Sequence, residues 1–342
     1  SMAAAPATPP TPSTATPLID PYGRRVKDLR ISITDRCNFR CTYCMPAEGL
    51  EWLPREHLLS YEEHARIVGA FARMGVRRVR LTGGEPTLRR DIEQLVERIA
   101  STPGIEDVAM TTNGHAFAQK ADALVRAGLT RINVSLDALD PELFARITRG
   151  GRLDRVLASI DRALELGLRP VKINCVVIGG ENEHEVERMV EHFAARPGTQ
   201  VRFIEYMPFG GNGGQRRHVA ARVLRERLEA RYGMTPVPAQ GGGGPSRDWR
   251  LDNGLVVGFI SPITEHFCDA CNRLRLQADG SLRTCLSRDR APNLRDLLRS
   301  GVDDAGLEAA IRAQLWGKVA GHEAHLDGDF RAFEGVMTRV GG

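Results

Sequence analysis

Cys37, Cys41 and Cys44 lie in one short run, Cys37-Asn38-Phe39-Arg40-Cys41-Thr42-Tyr43-Cys44, with the spacing C-x3-C-x2-C. Cysteines in such a run are either metal ligands or chance loop residues, and a cubane of four irons normally takes four thiolates. Three thiolates on one loop leave one iron without a protein ligand, and an open iron is a place for chemistry. Structural zinc, the other reading, wants a closed set of four ligands. No fourth Cys or His lies near this run. A second set stands at Cys268, Cys271 and Cys285, again three and not four. Here His266 could complete a Cys3His zinc site, so cluster and zinc both stay open on spacing alone. Between these cysteines Arg273 and Arg275 alternate with Leu274 and Leu276. Strand periodicity puts the two guanidiniums on one face, where they form either an anion receptor or a solvated pair.

The elements that must hold these residues alternate in type. Strands are predicted at Leu29–Thr34, Val76–Leu81, Val108–Thr112, Arg131–Leu136, Val171–Ile178 and Val201–Tyr206. Helices are predicted over 62–74, 91–100, 116–127, 153–166 and 183–195. The first helix opens with the capping box Ser60-x-x-Glu63. Gly75, Gly128 and Gly167 follow helices where a C′ glycine is expected. Six strands alternating with helices imply an α/β fold with parallel βα units and right-handed crossovers. Periodicity does not say whether the sheet stays open or curls into part of a barrel. The glycine-rich run 210–214 breaks the pattern, and a boundary is placed near 213. Beyond it come a helix over 219–232, a glycine loop at 241–244 and two hairpins turning at Asp252-Asn253-Gly254 and Asp279-Gly280. Helix returns in the last fifty residues, before a loose tail.

The first cysteine loop follows the first strand directly, and Thr82-Gly83-Gly84-Glu85-Pro86 follows the second. Paired glycines let backbone approach a ligand closely, although a plain βα turn also uses them. Lys172 sits inside the apolar run 171–178 and is one of only four lysines, with Lys27, Lys120 and Lys318. A buried cation needs a partner, either an anion bound in the sheet's interior or a helix acid on its outer face. Cys175 reads as a small buried hydrophobe without a role. His57, His64, His115, His184 and His218 read as solvated helix or loop residues.

The 342 residues carry 47 basic and 43 acidic side chains, net +4, so charge says little about partners. Residues 3–17 are an uncharged Ala/Pro/Thr/Ser stretch read as a disordered tail, with Ser1-Met2 a cloning scar; the stretch lacks the pattern of a signal peptide. Seven cysteines without a secretory signal argue for a reducing compartment, the cytoplasm, and for metal ligation over disulfides. No apolar run approaches the roughly 18 residues of a membrane span. No P-loop, serine-hydrolase set or nucleic-acid module is present, which leaves neither nucleic acid nor membrane as an expected partner.

Taken in order, the first triad ending Tyr43-Cys44-Met45-Pro46, the Gly-Gly-Glu-Pro loop, Thr111-Thr112-Asn113-Gly114, Ser135-Leu136-Asp137, Arg202 to Pro208, the second triad and the final Gly341-Gly342 form one pattern. It resembles the GTP 3′,8-cyclase family of the radical S-adenosylmethionine (radical SAM) superfamily over roughly residues 21 to 342. The resemblance implies a partial (β/α)6 barrel at 21–212, with chemistry at the C-terminal strand ends, and a C-terminal auxiliary-cluster domain at 213–342, after a tail at 1–20. It implies two [4Fe–4S] clusters, one on Cys37, Cys41 and Cys44 and one on Cys268, Cys271 and Cys285. Tyr43, Gly84, Ser135 and Met207 match SAM contacts. Arg30, Arg80, Thr111, Lys172, Arg273 and Arg275 match positions around GTP, and Gly341 and Gly342 would act in catalysis. The implied reaction splits SAM to a 5′-deoxyadenosyl radical, takes hydrogen from C3′ of GTP and joins C3′ to C8, giving 3′,8-cyclo-7,8-dihydro-GTP. This is the first step of molybdenum cofactor biosynthesis. A reductant or electron-donor protein, a downstream cyclic pyranopterin monophosphate synthase and a homodimer are implied partners. Two alternatives stand beside it: a peptide-modifying radical SAM enzyme with an auxiliary cluster, and a noncatalytic redox sensor with one cluster and a zinc.

Overall fold

A computed structural model describes residues 17–39, 41–43, 51–206, 217–238, 246–261, 273–284 and 293–326. Cys44, Met207, Cys268, Cys271, Cys285, Gly341 and Gly342, the tail read at 3–16 and the glycine runs at 210–214 and 241–244 lie outside them. In chain order the strands are β1 (Asp28–Ser32), β2 (Arg78–Thr82), β3 (Asp107–Thr112), β4 (Arg131–Ser135), β5 (Val171–Gly179), β6 (Thr199–Glu205), β7 (Arg217–His218), β8 (Met234–Pro236), β9 (Ser246–Leu251), β10 (Val256–Ile260), β11 (Arg273–Leu276) and β12 (Leu282–Thr284). The helices are α1 (Tyr61–Arg73), α2 (Ile92–Ala100), α3 (Phe117–Ala127), α4 (Pro141–Thr148), α5 (Leu153–Glu165), α6 (Val186–Ala194), α7 (Ala221–Tyr232), α8 (Leu294–Arg299) and α9 (Asp304–Leu326).

Contacts divide the chain into two units, with the division falling inside β3. The first gathers residues 1–36, 52–108 and 272–342. Its strands run in the order β12-β11-β1-β2, with β1 parallel to both β2 and β11, and β11 antiparallel to β12. The capping box is formed: Ser60 Oγ accepts from Glu63 N at 3.1 Å, and Glu63 Oε1 accepts from Ser60 N at 2.9 Å. α1 and α9 are tied by Arg73 on Glu308 at 2.6 Å.

The second unit holds residues 37–51 and 109–271. Its sheet follows the order β3-β4-β5-β6-β10-β9-β8, parallel through β10 and antiparallel beyond it. β7 pairs antiparallel with the end of β5. Alternation along β5 is strict at first: Val171, Ile173 and Cys175 are buried, whereas Lys172, Asn174 and Val176 are half-buried. α5 lies against β4 and β5, and α6 against β6. Gly128 ends α3 at φ +118°, a conformation that favours glycine. Sequence reasoning passed over α4, although Asp140 caps it onto Leu143 N at 3.1 Å and Pro141 occupies its first turn.

His64 corrects the solvated reading. It is fully buried on the inner stripe of α1 with Ile67, Val68 and Phe71. Neither ring nitrogen meets a hydrogen-bond partner among the described residues. Burial pushes its pKa down to about 3. His64→Leu should therefore gain about 1–3 kcal/mol at pH 7 by removing an unsatisfied polar group. The folded pKa lies below the free value near 6.5. The wild type thus loses stability as pH falls from about 6.5 towards 3, because the unfolded state alone takes up the proton. Urea unfolding at pH 8 and pH 5 should show a larger loss for the wild type than for the variant; equal losses would contradict this.

Candidate active site

The cysteine loop leaves β1 through residues 33–36 and is gripped there by the turn after β2. Glu85 N donates to Arg36 O at 2.7 Å. A Cβ on Gly84 would stand 2.0 Å from Arg36 O, and one on Gly83 would stand 2.7 Å from Thr34 O. Both glycines are therefore required by the backbone leading into Cys37, whatever ligand the turn meets. Glu85 is buried and accepts from Thr87 N at 3.2 Å and from the Thr87 hydroxyl.

Beyond Arg36 the loop docks on α4, the helix missed from sequence. Phe39 is buried edge-on against Phe144, with ring centroids 6.0 Å apart, and Thr42 N donates to Ile147 O at 2.9 Å. Cys37 and Cys41 are partly exposed thiols outside any disulfide. Cys37 Sγ accepts from Phe39 N at 3.4 Å and from Asn113 Nδ2 at 3.7 Å. Asn113 Nδ2 also donates to Asn38 Oδ1 at 2.7 Å. N–H groups aimed at sulfur favour the thiolate and orient a metal ligand, so this donor set fits an iron–sulfur cluster. Cys175 is the contrast: it is buried, and burial pushes its thiol pKa well up, as expected of an inert structural thiol. Tyr43 OH donates to Asp137 Oδ2 at 2.5 Å. Burial raises the Asp137 pKa to about 6 against the lowering effect of the Tyr43 and Val176 hydrogen bonds.

Register aligns the other predicted residues. In the first unit Arg80, Arg30 and Arg275 are direct neighbours across β2, β1 and β11, and Arg283 of β12 continues the row. Arg283 was not foreseen, and its Nε is buried without a partner among the described residues. Arg273 is in register with Asp28, which binds Arg78 through two bonds of 2.6 and 2.8 Å. In the second unit Thr111, Asn133, Lys172 and Gln200 form one row; Ser135, Asn174 and Arg202 form the next. Arg202 Nε donates to Asn174 Oδ1 at 3.1 Å. Lys172 belongs to the half-buried polar face of β5, opposite the apolar rows.

Glu205 lies in the run from Arg202 to Pro208 of the family pattern, but the sequence gives it no role. Its buried carboxylate accepts from Ala221 N at 2.5 Å and Ser261 Oγ at 2.7 Å, and lies 2.9 Å from His218 Nε2. It pins the end of β6, two residues before Met207. A cavity of about 450 Å³ opens elsewhere, at the N-terminal ends of β1 and β2, between Arg25, Lys27, Met74, Arg77 and Glu106. None of the residues singled out for chemistry lines it.

Fold and site together define an enzyme of the radical SAM superfamily. The superfamily model matches residues 31–193, and the Molybdenum Cofactor Synthesis C model matches 199–324. The chain is 45% identical over 338 residues to the GTP 3′,8-cyclase of Mycolicibacterium smegmatis, covering 95% of this chain and 92% of that one. It is 46% identical to the GTP 3′,8-cyclase of Paracoccus denitrificans over 94% of each. This chain belongs to the GTP 3′,8-cyclase family. Among solved structures, Streptococcus suis SuiB bound to S-adenosylmethionine superposes with a TM-score of 0.57 at 18% identity, over 87% of this chain and 68% of that one. SuiB bound to precursor peptide SuiA gives 0.58 at 18%, over 87% and 67%. That likeness is one of fold, the α/β partial barrel of radical SAM enzymes. Among the described residues, no helix is long and apolar enough to cross a membrane.

Proposed function

We propose that this chain converts GTP to 3′,8-cyclo-7,8-dihydro-GTP, opening molybdenum cofactor biosynthesis. The arginine row carries this reading from the geometry. Arg80, Arg30 and Arg275 are register neighbours on three successive strands, and guanidiniums so aligned suit the bidentate contacts that a triphosphate offers. The peptide-modifying alternative is not favoured, since the relatives at 45–46% identity carry the cyclase name.

In this reading Cys37, Cys41 and Cys44 hold one [4Fe–4S] cluster, and Cys268, Cys271 and Cys285 hold a second. Tyr43, Gly84, Ser135 and Met207 contact SAM. Arg30, Arg80, Thr111, Lys172, Arg273 and Arg275 bind GTP. Gly341 and Gly342, assigned from the family pattern alone, act on the substrate. When bound, the first cluster and SAM supply a 5′-deoxyadenosyl radical that can take the C3′ hydrogen. The chain's own part is to fix the thiols through Asn113 and α4, to present polar rows to the nucleotide and to spread guanidiniums along its phosphates. Residues 21–212 form the radical SAM core and 213–342 the auxiliary-cluster domain. A reductant or donor protein, a homodimer, a cytoplasmic setting and delivery of product to cyclic pyranopterin monophosphate synthase complete the proposal.

Anaerobic incubation of the iron-loaded protein with GTP, SAM and a reductant should give 5′-deoxyadenosine and a cyclised product of the same mass as GTP. GTP recovered unchanged while SAM is cleaved would overturn the reading. Arg275→Ala and Arg30→Ala should each weaken GTP binding about 10- to 100-fold with little change for SAM. Unaltered GTP affinity by calorimetry would return these arginines to solvated surface.

A further inference from the structure

We propose that Asp137 is a positioning residue for the cysteine loop, acting through the hydroxyl of Tyr43. The inference rests on the reading of the first triad as a SAM-binding cluster site. Tyr43 lies two residues after Cys41 in the chain, so fixing its ring restricts the segment that carries that thiol. The two oxygens of Asp137 have separate partners. Oδ1 accepts from Val176 N at 2.9 Å, which ties the carboxylate to β5. Oδ2 accepts from Tyr43 OH at 2.5 Å, which ties it to the loop.

The mount beneath this carboxylate is stiff. Asp137 O accepts from Asn182 Nδ2 at 2.9 Å, and the same amide donates to Val176 O at 2.8 Å. Glu185 Oε1 accepts from Leu139 N at 3.0 Å and Asp140 N at 2.8 Å. Asp137 itself is 5% exposed. Burying a carboxylate is costly, and its gain here is two accepted hydrogen bonds that one amide oxygen would have to share. Ser135, the proposed SAM contact on β4, lies two residues before Asp137. One rigid segment therefore carries a SAM contact and the anchor of the loop that presents the thiols, and the clasp sets the spacing between them.

Tyr43→Phe removes the hydroxyl and keeps the ring. Asp137→Asn keeps the size and loses one acceptor. In the iron-loaded protein, SAM dissociation constants and the electron paramagnetic resonance spectrum of the reduced protein with and without SAM are measured for both variants and the double variant. Iron content and circular dichroism check loading and fold. Each single variant should keep its fold, bind SAM about tenfold more weakly or worse and show a diminished SAM-induced spectral change. The double variant should be no worse than the weaker single, since both changes break one link. Loss of iron from both singles with the fold intact is the stronger form of the same result. Unchanged SAM affinity and spectra in Tyr43→Phe, iron loss from one single alone, or effects that multiply in the double would overturn the proposal. A wild type that binds no SAM would instead overturn the functional reading on which it rests.

Discussion

Cys41→Ser will give a folded chain that binds GTP and makes no 5′-deoxyadenosine. Cys41 is partly exposed and takes no part in the buried core, so a hydroxyl in its place should be structurally mild. The loop stays docked through Phe39 on Phe144 and Thr42 on Ile147. What changes is the donor set. With one of three thiolates gone, iron should fall from about eight to about four atoms per chain. Even outer-shell partners of metal ligands are worth 10- to 100-fold, so loss of a ligand should lower SAM cleavage by more than about 100-fold. Iron analysis, GTP calorimetry and chromatography of 5′-deoxyadenosine check it. Near-normal SAM cleavage would remove the first triad from the chemistry.

Gly84→Ala should be nearly as severe without touching a cysteine. The added Cβ would stand 2.0 Å from Arg36 O and 2.7 Å from Arg36 C. Both are backbone atoms, so no rotamer relieves the clash, and the turn must part from the strand leading into Cys37. The link broken is Glu85 N to Arg36 O. SAM cleavage should drop at least about 100-fold, as a displacement of about 1 Å near a reacting centre can cost that much. Gly83→Ala, meeting Thr34 O at 2.7 Å and Thr34 Cγ2 at 3.2 Å, should fall between this variant and wild type. Gly84→Ala with wild-type turnover would mean that the turn has slack the close approach denies.

Local signals carried much of this in advance. The Ser60–Glu63 capping box and the strand read at Val171–Ile178 are short-range patterns, and each stands where the sequence places it. Both hairpin turns, at Asp252-Asn253-Gly254 and Asp279-Gly280, close antiparallel pairs. The helix α4 was missed although Asp140-Pro141-Glu142 is a legible start; its eight residues show too little period to stand out. His64 was misread because residue type was weighed above position, while Ile67, Val68 and Phe71 mark its stripe as inward. What no local pattern contains is register. That Arg275 is the neighbour of Arg30, or that Asp137 meets Tyr43, depends on pairings across 94 to more than 200 positions. Such pairings are set by packing of the whole sheet.

The placement of β11 beside β1 has a consequence for synthesis. The strand that covers one edge of β1 is made about 240 residues after β1 itself. At 5–20 residues per second that is a wait of roughly 10 to 50 seconds. During it β1 can pair with β2 on one side only, leaving the other side a bare edge of the kind that recruits other strands. The second unit is encoded almost wholly within that interval and can assemble first. The second unit can therefore close before β1 does, and a chain halted before Arg273 leaves β1 without its β11 partner. Such stalled products should partition to chaperones or aggregates, whereas a chain extended past Thr284 should not.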